Sequence, residues 1–216
     1  MNIQVFVDSQ SACQAAAETI ALEARTAAAA RKRFVVAFSG GHSPAPMLQA
    51  LAREDVPWQA VHVLQVDERV APPGNPDRNF VLLHECLLAH VPLRPEQIHP
   101  MPVENPDLAL AAHQYGLALQ QLAGNPPVLD LLHLGLGPDG HTASLVPGDP
   151  DNEVTDTDVA VSGFYQGRRR LTLTFPAINR ARRILWLVTG GDKAPMLPKL
   201  RDGDTSIPAG RVRQEN

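Results

Sequence analysis

In the stretch LDLLHLGLGPDGHTASLVPG, residues 129–148, Gly135, Gly137 and Gly140 stand directly behind an apolar run. That G-x-G-x-x-G spacing belongs to turns that wrap a dinucleotide pyrophosphate, where glycines let the backbone close on the anion at a helix start. Here an imidazole follows at once, His141, with Asp139 just before the last glycine. Two chemistries therefore compete for one loop. A dinucleotide turn opens the first strand–helix unit of its domain, runs straight into a helix, and is answered by an acid about 20 residues on at the end of the next strand. This motif lies past mid-chain, Pro138 follows its second glycine, and TASLVPGDP breaks any helix within a few residues. Asp158 falls near the required distance but precedes VAVS instead of closing a strand. The loop reads better as a mount for His141, because an ordinary imidazole titrates at about pH 6.5 and suits proton abstraction near neutrality. Asp139 either orients the ring or only shapes the turn.

Other segments carry groups that complement such a base. SGGHSP, residues 39–44, offers small residues and backbone N–H groups ahead of Pro44, a favourable first-turn residue for a helix, and this suits a phosphate. It lacks the Gly-Lys-Ser/Thr ending of a Walker loop, and a glycine pair behind a strand also serves as a plain tight turn. VDERV, residues 66–70, sets Asp67 and Arg69 on one side of an extended chain and Glu68 on the other. An arginine there can clamp a phosphate while the aspartate orients a hydroxyl; a solvated strand end is the plainer alternative. TGGDK, residues 189–193, repeats the strand–glycine pattern and supplies Lys193. Of the triple arginine at 168–170, only Arg170 adjoins the apolar LTLTF and is a candidate for the site. The remaining histidines show no metal-ligand spacing, and His133, inside an apolar strand, reads as a satisfied core residue. No serine sits in a G-x-S-x-G elbow, which leaves an acyl-enzyme route without support.

The elements that must position these groups alternate helix and strand. Alanine-rich residues 10–31 favour a helix, with Asp8 or Ser9 as its cap. FVVAF (34–38), VHVLQV (61–66), VLDLLHLGLG (128–137), LTLTF (171–175) and ILWLVTG (184–190) read as strands, with a shorter extended piece at IHPMP (98–102). Helices are expected over 79–90, about 107–122 and from near Asp192. Several strands are continuously apolar, as they must be when helices cover both faces of a parallel sheet. The expected architecture is α/β, a single domain over residues 1–216 with an open, mostly parallel twisted sheet and helices on both faces. Ligands of such sheets bind beyond the carboxyl ends of the strands. SGGHSP, DER, GPDGHT and TGGDK should thus converge on one crevice, as a base beside cations fit for water attack on a small phosphorylated electrophile.

Composition narrows the setting. With 44% hydrophobic and 19% charged residues the chain is an ordinary globular protein, and its net charge of -4 gives no field for nucleic acid. No apolar run approaches the ~20 residues of a membrane span, so neither nucleic-acid nor membrane partners are expected. MNIQVFVDSQ does not read as a secretory signal, and Cys13 and Cys86 form neither a disulfide framework nor a zinc pattern. A reduced, cytoplasmic location is expected, with a monomer favoured over a dimer.

Four longer segments carry a resemblance. VVAFSGGHSPAPMLQAL, VDERVAPPGNPDRNF, LDLLHLGLGPDGHTASLVPG and RLTLTFPAINRARRILWLVTGGDKAPML follow the order and spacing of the 6-phosphogluconolactonase family, which the chain resembles from about residue 6 to residue 212. That family shares a superfamily with glucosamine-6-phosphate deaminase. The resemblance implies a Rossmann-like sheet and hydrolysis of 6-phospho-D-glucono-1,5-lactone to 6-phosphogluconate in the oxidative pentose phosphate pathway. It implies no metal and no organic cofactor. By position it implies His141 as the base that takes a proton from water, with Asp67 as the acid near the sugar. Arg69 and Lys193, with Ser39, Gly40 and Gly41, correspond to the phosphate site; Ser43, Asp139, Gly140 and Arg170 complete the phosphate and sugar contacts. In deaminases a glutamate stands five residues after the histidine, where this chain has Val146, and an aromatic residue tends to stand at the position of Arg69; both differences favour hydrolysis over a deaminase or isomerase. A protein that binds sugar phosphates without catalysis is the other alternative. Two departures, His42 in the glycine loop and Arg78 ahead of Asn79, are expected to alter how the phosphate is held.

Overall fold

The computed structural model describes residues 1–41 and 43–214; the departure at His42 lies outside the described residues. The first half of the chain runs α1 (Ser9–Arg31), β1 (Phe34–Phe38), α2 (Ala45–Leu51), β2 (Val61–Gln65), β3 (Asp67–Arg69), α3 (Asn79–Cys86), β4 (Ile98–His99) and α4 (Leu108–Ala123). The second half runs β5 (Leu131–Leu134), β6 (Val159–Tyr165), β7 (Arg168–Leu173), α5 (Phe175–Asn179), β8 (Ile184–Trp186), α6 (Leu197–Asp202) and α7 (Pro208–Arg211). Asp8 is the cap of α1, its carboxylate accepting the Ser11 N–H at 2.7 Å. The buried stripe of that helix, Cys13, Ala16, Ala17, Ile20, Ala21, Ala24 and Ala27, recurs at helical spacing and is mostly alanine. Small side chains let the helix axis approach its neighbours closely.

Five strands pair in parallel in the order β4-β2-β1-β5-β8. Every residue of β1 is buried because alternate side chains serve two cores. Phe34, Val36 and Phe38 pack with Met47, Leu48 and Leu51 of α2 and the stripe of α1. Val35 and Ala37 pack on the other face with Tyr115 and Leu119 of α4 and Ile178 of α5. This two-faced burial explains the unbroken apolar runs. The chain leaves β1 toward β2 on one side and returns to β5 on the other, so the sheet has its switch point between β1 and β5. A crevice must open there beyond the strand ends. The Ser39 N–H and hydroxyl both bond the His133 carbonyl, at 3.2 and 3.0 Å, and fasten the two departing loops together.

A second, antiparallel sheet, β3-β7-β6, differs from the expected architecture. Val66 carries the chain from one sheet into the other: its N–H donates to Phe38 and its carbonyl accepts from Leu173. LTLTF therefore lies in the small sheet, pairing with DER, with Arg170 opposite Arg69. Its partner VAVSGFY did not stand out as a strand because Ser162 and Gly163 interrupt the apolar alternation, and the register slips between Ser162 and Tyr165. Gln166 and Gly167 close the hairpin at φ of 51° and 76°. The hairpin brings β7, with Arg170, to the crevice.

Candidate active site

The four strand-end segments meet at the crevice. A cavity of about 210 Å³ is lined by Ser39, Gly40, Gly41 and Ser43, by Asp67 and Arg69, by Gly137 and His141, by Lys193, and by Arg170 from β7. Asp139 and Gly140 are not in its wall. Asp139 stands behind His141, and Gly140, at φ 86°, turns the chain while its Cα packs against Ile207.

His141 is held from one edge. Its Nδ1 lies 2.6 Å from Asp139 Oδ1, and the same oxygen accepts the His141 backbone N–H at 3.1 Å. An ionised carboxylate only accepts, so in the neutral ring the proton is on Nδ1 and Nε2 carries the lone pair. Burial works to raise the Asp139 pKa, yet the hydrogen bonds from His141 and Tyr165 outweigh it and hold the carboxyl below its ordinary value. The second glycine of the G-x-G-x-x-G run has its explanation here. A Cβ on Gly137 would lie 2.1 Å from His141 Nδ1 and 2.8 Å from Asp139 Oδ1, so glycine alone allows the ring to rest on this turn. The spacing that imitates a dinucleotide loop makes room for an imidazole.

The same cavity is lined by cations. Arg69 and Arg170 face each other directly across β3 and β7, and Arg170 is only 3% exposed. Like charges at opposed positions repel, and the Nε atoms of both arginines are buried without a hydrogen-bond partner among the described residues. Burial pulls the Arg170 guanidinium below its ordinary value; Asp67 pushes the other way, and the charge of Arg69 adds to the lowering. Asp67 is itself buried, accepting the Ser144 hydroxyl at 2.7 Å, and Ser144 also lies 3.4 Å from Arg170 Nη1. Lys193 bonds both oxygens of exposed Asp192, at 3.0 and 2.9 Å. Ser43 accepts the Thr189 hydroxyl at 3.0 Å, joining the first and last loops of the crevice. The arrangement sets an imidazole and an excess of positive charge around one cavity. It can deprotonate a neutral nucleophile beside an anionic ligand.

Several side chains fall elsewhere than their sequence positions suggested. Arg78 does not reach the cavity: it is buried behind β3, paired with Glu68 at 3.1 Å and Glu104 at 2.8 Å. The expectation that it alters phosphate contacts is therefore corrected. Glu68, 0% exposed, faces away from Asp67 and Arg69 and accepts the backbone N–H groups of Arg69, Asn79 and Phe80. It caps α3 and locks DER to that helix. His133 is buried as expected, but among the described residues neither ring nitrogen has a hydrogen-bond partner, and the residue borders the cavity. Burial lowers its pKa to about 4, so it is neutral near pH 7. Tyr165 and Ser144 touch the expected site residues and went unrecognised in the sequence. The YQG turn between two extended runs is the one signal that marks a hairpin near Tyr165. Arg168, by contrast, pairs with Asp77 at the surface, leaving Arg170 alone of the three arginines in the cavity.

Known proteins resemble the chain along most of its length. The model of the family described as glucosamine-6-phosphate isomerases/6-phosphogluconolactonase matches residues 7–216. A 6-phosphogluconolactonase of Synechocystis sp. is 38% identical over 203 residues, covering 92% of this chain and 84% of that protein. The 6-phosphogluconolactonase of Mycobacterium tuberculosis is 34% identical over 229 residues, covering 100% of this chain and 93% of its own. The crystal structure of 6-phosphogluconolactonase from Thermotoga maritima superposes with a TM-score of 0.86 at 27% identity, over 95% of this chain and 92% of that one. With a family model spanning nearly the whole sequence and relatives above 30% identity along it, the chain belongs to the glucosamine-6-phosphate isomerase/6-phosphogluconolactonase family.

Proposed function

We propose that the protein hydrolyses 6-phospho-D-glucono-1,5-lactone to 6-phosphogluconate, with His141 as general base. One observation carries the reading: an imidazole held through Nδ1 by Asp139 shares a cavity with Arg69, Arg170 and Lys193. The Synechocystis and Mycobacterium tuberculosis relatives, which match over most of the chain, are 6-phosphogluconolactonases. In the proposed reaction Nε2 accepts a proton from water as the water oxygen bonds the lactone carbonyl carbon. The resulting tetrahedral centre collapses by breaking the bond to the ring oxygen, and the imidazolium returns its proton to that oxygen. The product acid then ionises to solvent. Asp139 stabilises the transient imidazolium and fixes its orientation, as the carboxylate of a catalytic triad does.

Arg69 and Lys193, with the backbone of residues 39–41, hold the phosphoryl group. Lys193 exchanges Asp192 for it, and the arginine pair exchanges mutual repulsion for charge-assisted bonds. Asp67, beside Ser144 and Arg170, accepts a hydroxyl of the sugar. Lactones are activated esters, so positioning with one base is sufficient catalysis.

A coupled assay with freshly prepared lactone, corrected for spontaneous opening, tests the function. Hydrolysis well above the uncatalysed rate is expected; a rate equal to buffer alone rejects it. Arg69→Ala is expected to raise KM by about 10- to 100-fold, the worth of a hydrogen bond to a charged group, with kcat little changed. A variant that lost kcat at constant KM would move Arg69 from substrate holding to the chemical step.

A further inference from the structure

On the lactonase reading, we propose that Tyr165 is a positioning residue for the base, its hydroxyl pinning the Asp139 carboxylate so that the His141 ring stays aimed at the cavity. Tyr165 reaches the site through a bulge. The β6–β7 pairing is regular through Ser162 opposite Arg170 and resumes at Tyr165 opposite Arg168. Gly163 and Phe164 on one strand thus oppose Arg169 alone on the other. Bulges of this kind re-aim side chains beside functional sites. Here Phe164 turns out to solvent at 79% exposure, and Tyr165 turns toward His141. The bulge is fastened by the Gly163 N–H donating to Asp149 Oδ2 at 2.9 Å, against which a Cβ would press at 2.8 Å.

Tyr165 makes contacts that a surface residue has no reason to combine. Its hydroxyl donates to Asp139 Oδ2 at 3.1 Å and lies 3.4 Å from His141 Nδ1. Its ring meets the imidazole edge-on, with centroids 5.3 Å apart and planes at 64°, and Arg170 lies 4.9 Å from its centroid. Asp139 is half-exposed on a turn, and His141 occupies only Oδ1. Without a partner on Oδ2 that carboxylate is free to rotate into water and take the imidazole with it. Burial, and then the charge of Asp139, raise the Tyr165 pKa, so the phenol keeps the proton it donates. The bond also draws off part of the carboxylate charge that stabilises the imidazolium. One residue therefore sets both the aim and the basicity of the base.

Tyr165→Phe removes the hydroxyl and keeps the ring, the bulge and the face beneath Arg170. Its kcat is expected to fall by a factor of about 2 to 10, the worth of one ordinary hydrogen bond, with KM and melting temperature unchanged. The acid limb of its kcat profile should move to higher pH, because Asp139 then attracts the imidazolium more strongly. Tyr165→Leu, which also removes the ring from Arg170, should raise KM as well. Wild-type kcat and an unmoved acid limb in Tyr165→Phe overturn the proposal, as does a kcat loss that only follows a fall in folded protein. The titration of the His141 ring by NMR reads the same contact without turnover. Its midpoint should lie higher in Tyr165→Phe than in the unmodified protein, and an unchanged midpoint overturns the proposal even if lactone hydrolysis were absent and the proposed function had failed separately.

Discussion

Asparagine in place of His141 is expected to lower kcat for lactone hydrolysis by about 10²- to 10⁴-fold, the usual range for a lost general base. Binding of 6-phosphogluconate should be unchanged. The substitution keeps a planar polar group on the Gly137 turn and leaves Arg69, Arg170 and Lys193 where they are. It removes the only group in the proposal that takes a proton from water. The coupled assay gives kcat and titration calorimetry gives the affinity. A protein that only binds sugar phosphates would show no turnover to lose. Unchanged turnover in the variant would remove His141 as the base and turn attention to Asp67, the buried carboxylate lining the same cavity.

Replacing Glu68 by leucine should lower folding stability by about 3 to 5 kcal/mol, the range found when one partner of a buried ion pair is removed. Glu68 has no exposed surface, and its two oxygens serve the backbone N–H groups of Arg69, Asn79 and Phe80 and the Gln65 side chain, besides pairing with Arg78. Leucine satisfies none of them. It leaves the buried Arg78 with Glu104, which is half exposed, as its remaining ion-pair partner. Glutamine can still accept from some of these donors and should lose less. Urea unfolding of the two variants measures the difference. Equal stabilities for wild type, glutamine and leucine would show that DER is held to α3 by other contacts.

The site was legible in the sequence where it follows from sheet geometry. Continuous apolar runs identify strands buried on both faces, the ligand of such a sheet lies past the strand ends, and the reactive residues of SGGHSP, DER, GPDGHT and TGGDK stand there. The alternation of β3 also placed Asp67 and Arg69 together and Glu68 opposite. What alternation cannot express is which side is buried, so the structural weight of Glu68 and Arg78 was invisible. Their contact joins β3 to a loop and a helix start farther along the chain. Tyr165 was hidden for a related reason: it meets His141 across 24 positions of sequence through a bulged hairpin whose first strand contains Ser162 and Gly163. His133 shows the opposite error. An apolar neighbourhood in sequence suggested a satisfied core residue, whereas the residue borders the cavity and its ring nitrogens have no hydrogen-bond partner among the described residues.

The central claim is spatial: the phosphoryl group and the carbonyl carbon of one ligand span the cavity between the cations and the imidazole. A crystal structure of His141→Asn with 6-phosphogluconate tests this most directly. The phosphate is predicted within hydrogen-bonding distance of Arg69 and Lys193, with the C1 carboxylate beside residue 141. A phosphate lying against residue 141, or a ligand bound outside the crevice between β1 and β5, would contradict it.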